Sequence, residues 1–149
     1  KSNDVIIRLG RIFLAEQSLE INKEIKKDLD KINDIIDNID SNIISIKELI
    51  SLSKMNPRKT RDLVFLLIDN KSLLRINDDI IMGADSFNKL LLSTRRYFAN
   101  NTTMSISDFK ILSKLTRKNA IPILEYFDNN HFTIRNGSNR TEGKDLYVE

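Results

Sequence analysis

No cysteine occurs in the 149 residues. That excludes disulfides, cysteine-ligated zinc and thiol catalysis. A single histidine, His131, leaves little material for metal or acid–base chemistry. Glycine (4) and proline (2) are scarce, which disfavours a loop-rich all-β fold. No apolar run is long enough to span a bilayer and no signal-peptide pattern opens the chain. A soluble, cytoplasmic protein with no membrane partner is therefore expected. The first residue is Lys1 rather than methionine, which implies a fragment.

What is present fits a globular, mainly helical chain: 40% hydrophobic and 30% charged residues. The net charge of +3 is unevenly placed. Residues 1–92 carry 15 Lys and Arg against 15 Asp and Glu, whereas residues 93–149 carry 9 against 6, so the whole excess lies in the second part. A basic C-terminal part suggests a polyanionic partner.

The chain reads as one small unit used twice. Ser45-Ile46-Lys47-Glu48-Leu49 parallels Ser105-Ile106-Ser107-Asp108-Phe109, and Leu52-Ser53-Lys54 parallels Leu112-Ser113-Lys114, both 60 residues apart. Arg58-Lys59 then aligns with Arg117-Lys118, Val64-Phe65 with Ile123-Leu124, and Asp69 with Asp128, at a separation of 59. Upstream, Ile7-Arg8-Leu9 resembles Leu74-Arg75-Ile76, and Ser18-Leu19 resembles Ser86-Phe87.

Each unit reads as helix, short strand, helix, helix, hairpin. Ile21, Ile25, Leu29, Ile32, Ile36 and Ile39 recur at steps of three and four, so they form one apolar stripe. Lys23, Glu24, Lys26, Lys27, Asp30 and Lys31 take the wet side. The matching helix of the second unit starts at Asp85 as N-cap and runs through Phe87, Leu91 and Phe98 to Asn100-Asn101. Ser45 with Glu48 fits a capping box, and Ser105 with Asp108 is its shorter-armed version. Ile43-Ile44 and Met104 form one-turn strands before them. The third helices start at Asn56-Pro57, a cap followed by proline at the first helical position, and at Thr116. Pro122 implies a distorted turn before the second of these becomes regular.

Ser72–Ile76, Asn77–Asp79 and Ile80–Met82 read as a hairpin, and Phe132–Arg135 leads into Asn136-Gly137, a strong hairpin signal. Its returning strand is Arg140-Thr141 or Leu146–Val148. This order is that of the winged helix, a helix-turn-helix with a β wing. The expected fold is mainly α with small β wings: two tandem winged-helix domains, residues 1–82 and 83–149. Residues 4–14 read as the wing of a preceding unit or as a hairpin packed on the first.

Residues 112–140, LSKLTRKNAIPILEYFDNNHFTIRNGSNR, resemble the last winged helix of the SelB family, the bacterial selenocysteine-specific elongation factors. The resemblance rests on Thr116-Arg117-Lys118, Pro122-Ile123-Leu124-Glu125-Tyr126, Asp128, Thr133, Arg135, Gly137 and Arg140. It implies an RNA-binding module that holds the selenocysteine-insertion hairpin of an mRNA. It implies further that the full-length protein is a GTPase, with GTP and magnesium in N-terminal domains, and meets selenocysteinyl-tRNA and the ribosome. This chain has no Gly-x4-Gly-Lys-Ser/Thr loop, so no cofactor and no catalytic activity are expected in the fragment. Ser138 stands where the family often has Asp, and the residues after Arg140 are polar. The first unit keeps Arg58-Lys59 but lacks the proline and the wing arginines, so RNA binding is assigned to the second unit only.

The residues support that assignment on their own chemistry. Arg117 and Lys118 open a helix, where cations oppose the helix dipole; a polyanion explains such a local conflict better than folding does. Lys110 and Lys114 extend the patch, and no acid lies between Lys110 and Lys118. Arg135 and Arg140 bracket the wing tip, where planar guanidinium groups can meet phosphates or stack on splayed bases. The candidate RNA-binding set is Lys114, Thr116, Arg117, Lys118, Arg135, Asn136, Gly137 and Arg140, in a monomer without metal. Arg95-Arg96 reads as a solvated helix pair. Tyr126, Phe127 and Phe109 read as core, Glu125 and Asp128 as buried-edge residues, and His131 as surface. The alternatives are a DNA-binding regulator or a protein-docking module. Against the first, Ile121–Phe127 is apolar with Glu125 as its only charge.

Overall fold

The computed structural model describes residues 15–148, with the backbone alone for 15–21. The wing read at residues 4–14 and the side chains of Ser18, Leu19 and Ile21 lie outside that description.

Helix α1 (Ala15–Asp37) lays Ile25, Ile32 and Ile36 into the core and leaves its six named charged residues exposed. Its last stripe residue, Ile39, lies beyond the helix end, where a 3-10 turn at Asp40–Asn42 redirects the chain. Then follow β1 (Ile43–Ser45), α2 (Ile46–Ser53), α3 (Pro57–Asp69), β2 (Leu73–Arg75) and β3 (Ile80–Gly83). The second unit repeats the series: α4 (Ala84–Asn100), β4 (Met104–Ser105), α5 (Ile106–Ser113), α6 (Arg117–Asn129), β5 (Thr133–Asn136) and β6 (Asn139–Glu142). Each unit closes with an antiparallel three-stranded sheet whose last strand is central, in the orders β1-β3-β2 and β4-β6-β5. The chain is two tandem winged helices.

Local signals explain the helix starts. Ser45 Oγ accepts the Glu48 amide at 3.1 Å. Ser105 and Asp108 complete both halves of a capping box, at 3.0 and 2.9 Å, so the shorter arm is the one that closes reciprocally. Asn56 Oδ1 accepts the amides of Arg58 and Lys59, and Pro57 follows the cap. Two expectations fail. Gly83, not Asp85, is the N-cap of α4, because the chain passes straight from β3 into the helix and leaves Asp85 in its first turn. Pro122 does not delay α6, which is helical from Arg117 onward. The ring removes only the amide that would meet the Lys118 carbonyl, while buried Ala120, Ile123, Leu124 and Phe127 hold the helix against the core.

The internal repeat is more regular than the sequence comparison indicates. The helix pairs α2/α5 and α3/α6 are each offset by 60 residues throughout, with no slip to 59. The buried positions Thr60, Leu63, Val64 and Leu67 therefore correspond to Ala120, Ile123, Leu124 and Phe127. Arg58 corresponds to Lys118 and Pro57 to Arg117. Ile68, not Asp69, occupies the place of Asp128. The basic pair and the two Asp residues had suggested a gap that the burial pattern rules out.

Phe127 is the hub of the second core. Its ring meets Phe87, Phe109 and Phe132 edge-to-face at centroid distances of 5.7, 5.8 and 5.8 Å, and Tyr126 packs on Phe87 at 5.4 Å. The cluster also takes in Ile43, Ile76 and Met82 from the first sheet beside Phe87, Leu90 and Leu91 of α4. One apolar core thus runs from the first sheet through α4 into the second unit. No helix among the described residues is long and apolar enough to cross a membrane.

Candidate nucleic-acid interface

The turn between α5 and α6 carries the first group of candidate residues. Lys114 ends α5 in the left-handed region, φ 60°, with its amide donating to the Lys110 carbonyl at 2.9 Å. Lys54 does the same in the first unit at φ 57°. Thr116 occupies the N-cap of α6, but its side chain makes no cap hydrogen bond; its carbonyl accepts the amides of Asn119 and Ala120. Arg117 and Lys118 are the first two helical residues. Lys114, Thr116, Arg117 and Lys118 are all exposed.

The first unit handles the same place differently. Asn56 fills the amide-rich start of α3 with its own oxygen. Lys59 is held by Asp28 at 2.7 Å and lies 3.7 Å from Glu24, both on α1. The helix start of the first unit is thus capped, with Pro57 in the place of Arg117, exposed Arg58 in that of Lys118, and the next residue, Lys59, paired. That of the second unit has no side-chain cap, so the amides of Arg117 and Lys118 lie beyond the intrahelical ladder beside two exposed cations.

The wing supplies the second group. Asn136 pairs with Asn139 across the ladder, so the loop residues are Gly137 and Ser138, one place later than the Asn136-Gly137 signal suggests. Gly137 has φ +61°, which is the conformation the first loop position of a type II′ turn requires. The returning strand contains Arg140-Thr141 and runs to Glu142; the polar residues there still pair. Arg135, Asn136 and Gly137 are exposed, and Arg135 Nε donates to the Gly137 carbonyl at 3.0 Å.

Arg140 departs from the expectation. It is 2% exposed, and its guanidinium meets Asp128 of α6: Nη2 to Oδ2 at 3.0 Å and Nε to both oxygens at 3.3 Å. Arg140 lies on the central strand and faces the last turn of α6, which makes it inward-pointing. It lies one ladder pair from the wing turn, but its guanidinium is turned into the unit rather than to solvent. Thr133 Oγ1 donates to Asp128 Oδ1 at 2.6 Å. Asp128 is thus a hydrogen-bonding edge residue as expected, while Glu125 is exposed rather than buried-edge.

The two exposed groups come from different elements, the turn between α5 and α6 and the hairpin β5–β6. The wing is anchored at Asp128, 11 residues along α6 from Arg117, or roughly 16 Å by helix rise. Three further features depend on tertiary contacts. Arg75 stands in the first wing where Arg135 stands in the second, opposite Ile81 as Arg135 is opposite Arg140; its guanidinium lies 5.7 Å from the Phe65 ring centroid. The first unit therefore does have a wing arginine, laid on its own helix. Arg95 is not a merely solvated residue: Nε donates to the Leu146 carbonyl at 2.6 Å, which clips residues 143–148 to α4 and helps seat Leu146 in the core. Asp108 has its carboxyl held below the ordinary carboxylate range, first by the Ser105 amide, then by the Ser105 hydroxyl and the Tyr97 phenol. No group of three His, Cys, Asp or Glu able to hold a metal ion occurs among the described residues.

Comparison with known proteins gives consistent results. Residues 96–141 match the family model described as "Elongation factor SelB, winged helix". The selenocysteine-specific elongation factor of Desulfomicrobium baculatum is 33% identical over 75 residues, which is 50% of this chain and 12% of that protein. The mRNA-binding domain of elongation factor SelB from E. coli, solved in complex with SECIS RNA, superposes with a TM-score of 0.69 at 20% identity, covering 81% of this chain and 98% of that one. A bacterial selenocysteine-specific elongation factor, EF-Sec, gives a TM-score of 0.64 at 25% identity over 82% of this chain and 19% of its own. The chain spans about one eighth of the length of the curated relative it matches.

Proposed function

We propose, from the premise that the second unit is a winged helix of the SelB family, that this chain binds a hairpin in a selenoprotein mRNA as part of a selenocysteine-specific elongation factor. The solved E. coli relative of the same two-unit fold was captured with SECIS RNA. The observation of this chain that carries the reading is the contrast between its two helix-turn-helix starts. Asn56 caps one, with Pro57 in the place of Arg117 and Arg58 as the counterpart of Lys118. The other presents Arg117 and Lys118 over an uncapped helix start, a place suited to a phosphate.

Lys114, Thr116, Arg117 and Lys118 make one contact and Arg135, Asn136 and Gly137 the other. Two contacts on different elements suit a folded RNA, gripped on its backbone at one and at an unpaired loop or bulge at the other. Arg140 supports the second contact from behind. GTP, magnesium, selenocysteinyl-tRNA and the ribosome belong, on this reading, to the whole elongation factor, and the work is done in the cytoplasm.

The test is a titration of the chain with a bulged RNA hairpin, the same RNA unfolded by base changes, and a duplex DNA of equal length. Binding selective for the folded hairpin supports the reading. Preference for duplex DNA replaces it with that of a DNA-binding regulator, and no binding to either nucleic acid leaves a protein-docking module.

A further inference from the structure

We propose that Asp128, Thr133 and Arg140 are positioning residues that lock the second wing to α6 and so aim Arg135 at its RNA; the inference rests on the function proposed above. One carboxylate holds both strands of the wing. Thr133 reaches it from β5 at 2.6 Å and Arg140 from β6 at 3.0 Å. Arg140 is 2% exposed and the Asp128 side chain 19%, so the arrangement is largely withdrawn from water.

The first unit shows that the fold does not need it. In the repeat, the places of Asp128, Thr133 and Arg140 are taken by Ile68, Leu73 and Ile81. Leu73 and Ile81 are buried, and Ile68 packs against the same core. The same junction is therefore built once from three apolar side chains and once from an ion pair with a hydroxyl. Apolar replacements for a buried ion pair are commonly as stable or more so. Folding stability alone gives no reason for the polar version.

What the polar version adds is direction. Apolar contact tolerates sliding and rotation of a short hairpin, whereas four charge-assisted bonds to one carboxylate define where both strands sit. The two wings also use their arginines differently. Arg75 lies over Phe65 of its own unit. In the second unit the place of Phe65 is taken by exposed Glu125, and Arg135 extends from the wing with its Nε tied to the Gly137 carbonyl. Arg135 and Arg140 are direct ladder partners, a like-charge pairing that is unfavourable unless a counter-charge such as Asp128 offsets it. The locked wing belongs to the unit whose arginine is presented outward.

The experiment transplants the apolar set into the full chain as Asp128→Ile/Thr133→Leu/Arg140→Ile, with Thr133→Val as a milder variant that keeps the ion pair and frees β5. Thermal unfolding and binding of the bulged hairpin at several salt concentrations are measured for each. The proposal expects the triple variant to melt within a few degrees of wild type, to bind roughly fivefold or more weakly, and to keep the wild-type slope of log affinity against log salt. Thr133→Val shows a smaller loss in the same direction, and that loss alone supports the proposal if the triple variant does not fold. Affinities within about twofold of wild type for every folded variant overturn it. A salt slope reduced by roughly 0.7–0.9 also overturns it, because Arg140 would then be a phosphate contact itself. Failure of the wild type to bind the hairpin at all would instead remove the function on which the inference stands.

Discussion

Arg135 and Arg140 face each other across the second wing, yet only Arg135 meets solvent: Arg140 turns its guanidinium into Asp128 on α6. Substituting the two should therefore have opposite signatures. Arg135→Ala is expected to weaken hairpin binding by about 1–3 kcal/mol with little change in melting temperature. Arg140→Ala leaves Asp128 without its partner and should cost about 2–4 kcal/mol of stability, somewhat below the fully buried case because Asp128 is partly exposed. Denaturant unfolding and RNA titration of both variants check this.

Gly143 is required by a close approach. A Cβ there would lie 2.2 Å from the His131 carbonyl oxygen and 2.7 Å from the Phe132 carbonyl carbon, both backbone atoms with little room to move. Gly143 donates its amide to the Phe132 carbonyl at 2.9 Å. Gly143→Ala should cost about 3 kcal/mol and loosen the segment that seats Leu146. Chemical denaturation measures the loss, and hydrogen exchange at Asp145, whose amide donates to the His131 carbonyl, locates it.

The two units should unfold together. Ile43, Ile76 and Met82 share one buried cluster with Phe87, Leu90 and Leu91, so opening either unit exposes apolar surface of the other. Calorimetry is expected to show a single transition, with calorimetric and van't Hoff enthalpies equal. Phe87→Ala, at the joint, should cost about 3–5 kcal/mol and lower that transition as a whole. Two resolved transitions would contradict the shared core.

Asp108 ties acid stability to the α5 cap. Its carboxyl is held below the ordinary range, chiefly by the Ser105 amide. The depressed folded value means that its stabilisation is present above the unfolded carboxylate pKa, roughly 4, and is lost as pH falls through the folded value. The stability gap between wild type and Asp108→Asn should be constant around neutrality and shrink below about pH 4. A gap independent of pH down to 2 would show that the charge on Asp108 contributes nothing.

The fold was legible because its signals are local. Apolar steps of three and four, serine caps with acids three residues on, Asn56-Pro57 and a glycine-bearing turn each act within a few residues. They yield the element order and the repeat without long-range information. The residues that depend on tertiary placement were harder to read. Arg140 looks like a surface cation among polar neighbours; only its position on a central strand, facing a helix acid 12 residues earlier, makes it an interior residue. The slip of one residue that paired Asp69 with Asp128 hid the replacement of Ile68, Leu73 and Ile81 by a polar set. Arg95 binds a carbonyl more than 50 residues away, a contact that no periodicity encodes.

The most direct test of the account is hairpin binding by wild type, Arg117→Ala, Arg135→Ala and the double variant across a range of salt. Selective binding is expected in the wild type. Each single change should lower affinity by about 1–3 kcal/mol, reduce the salt slope where a phosphate contact is lost, and add in the double variant because Arg117 and Arg135 stand on different elements and have no described contact in common. Equal affinities for all four proteins, or equal binding of folded and unfolded RNA by the wild type, would contradict the claim that the second unit grips a folded transcript at these two places.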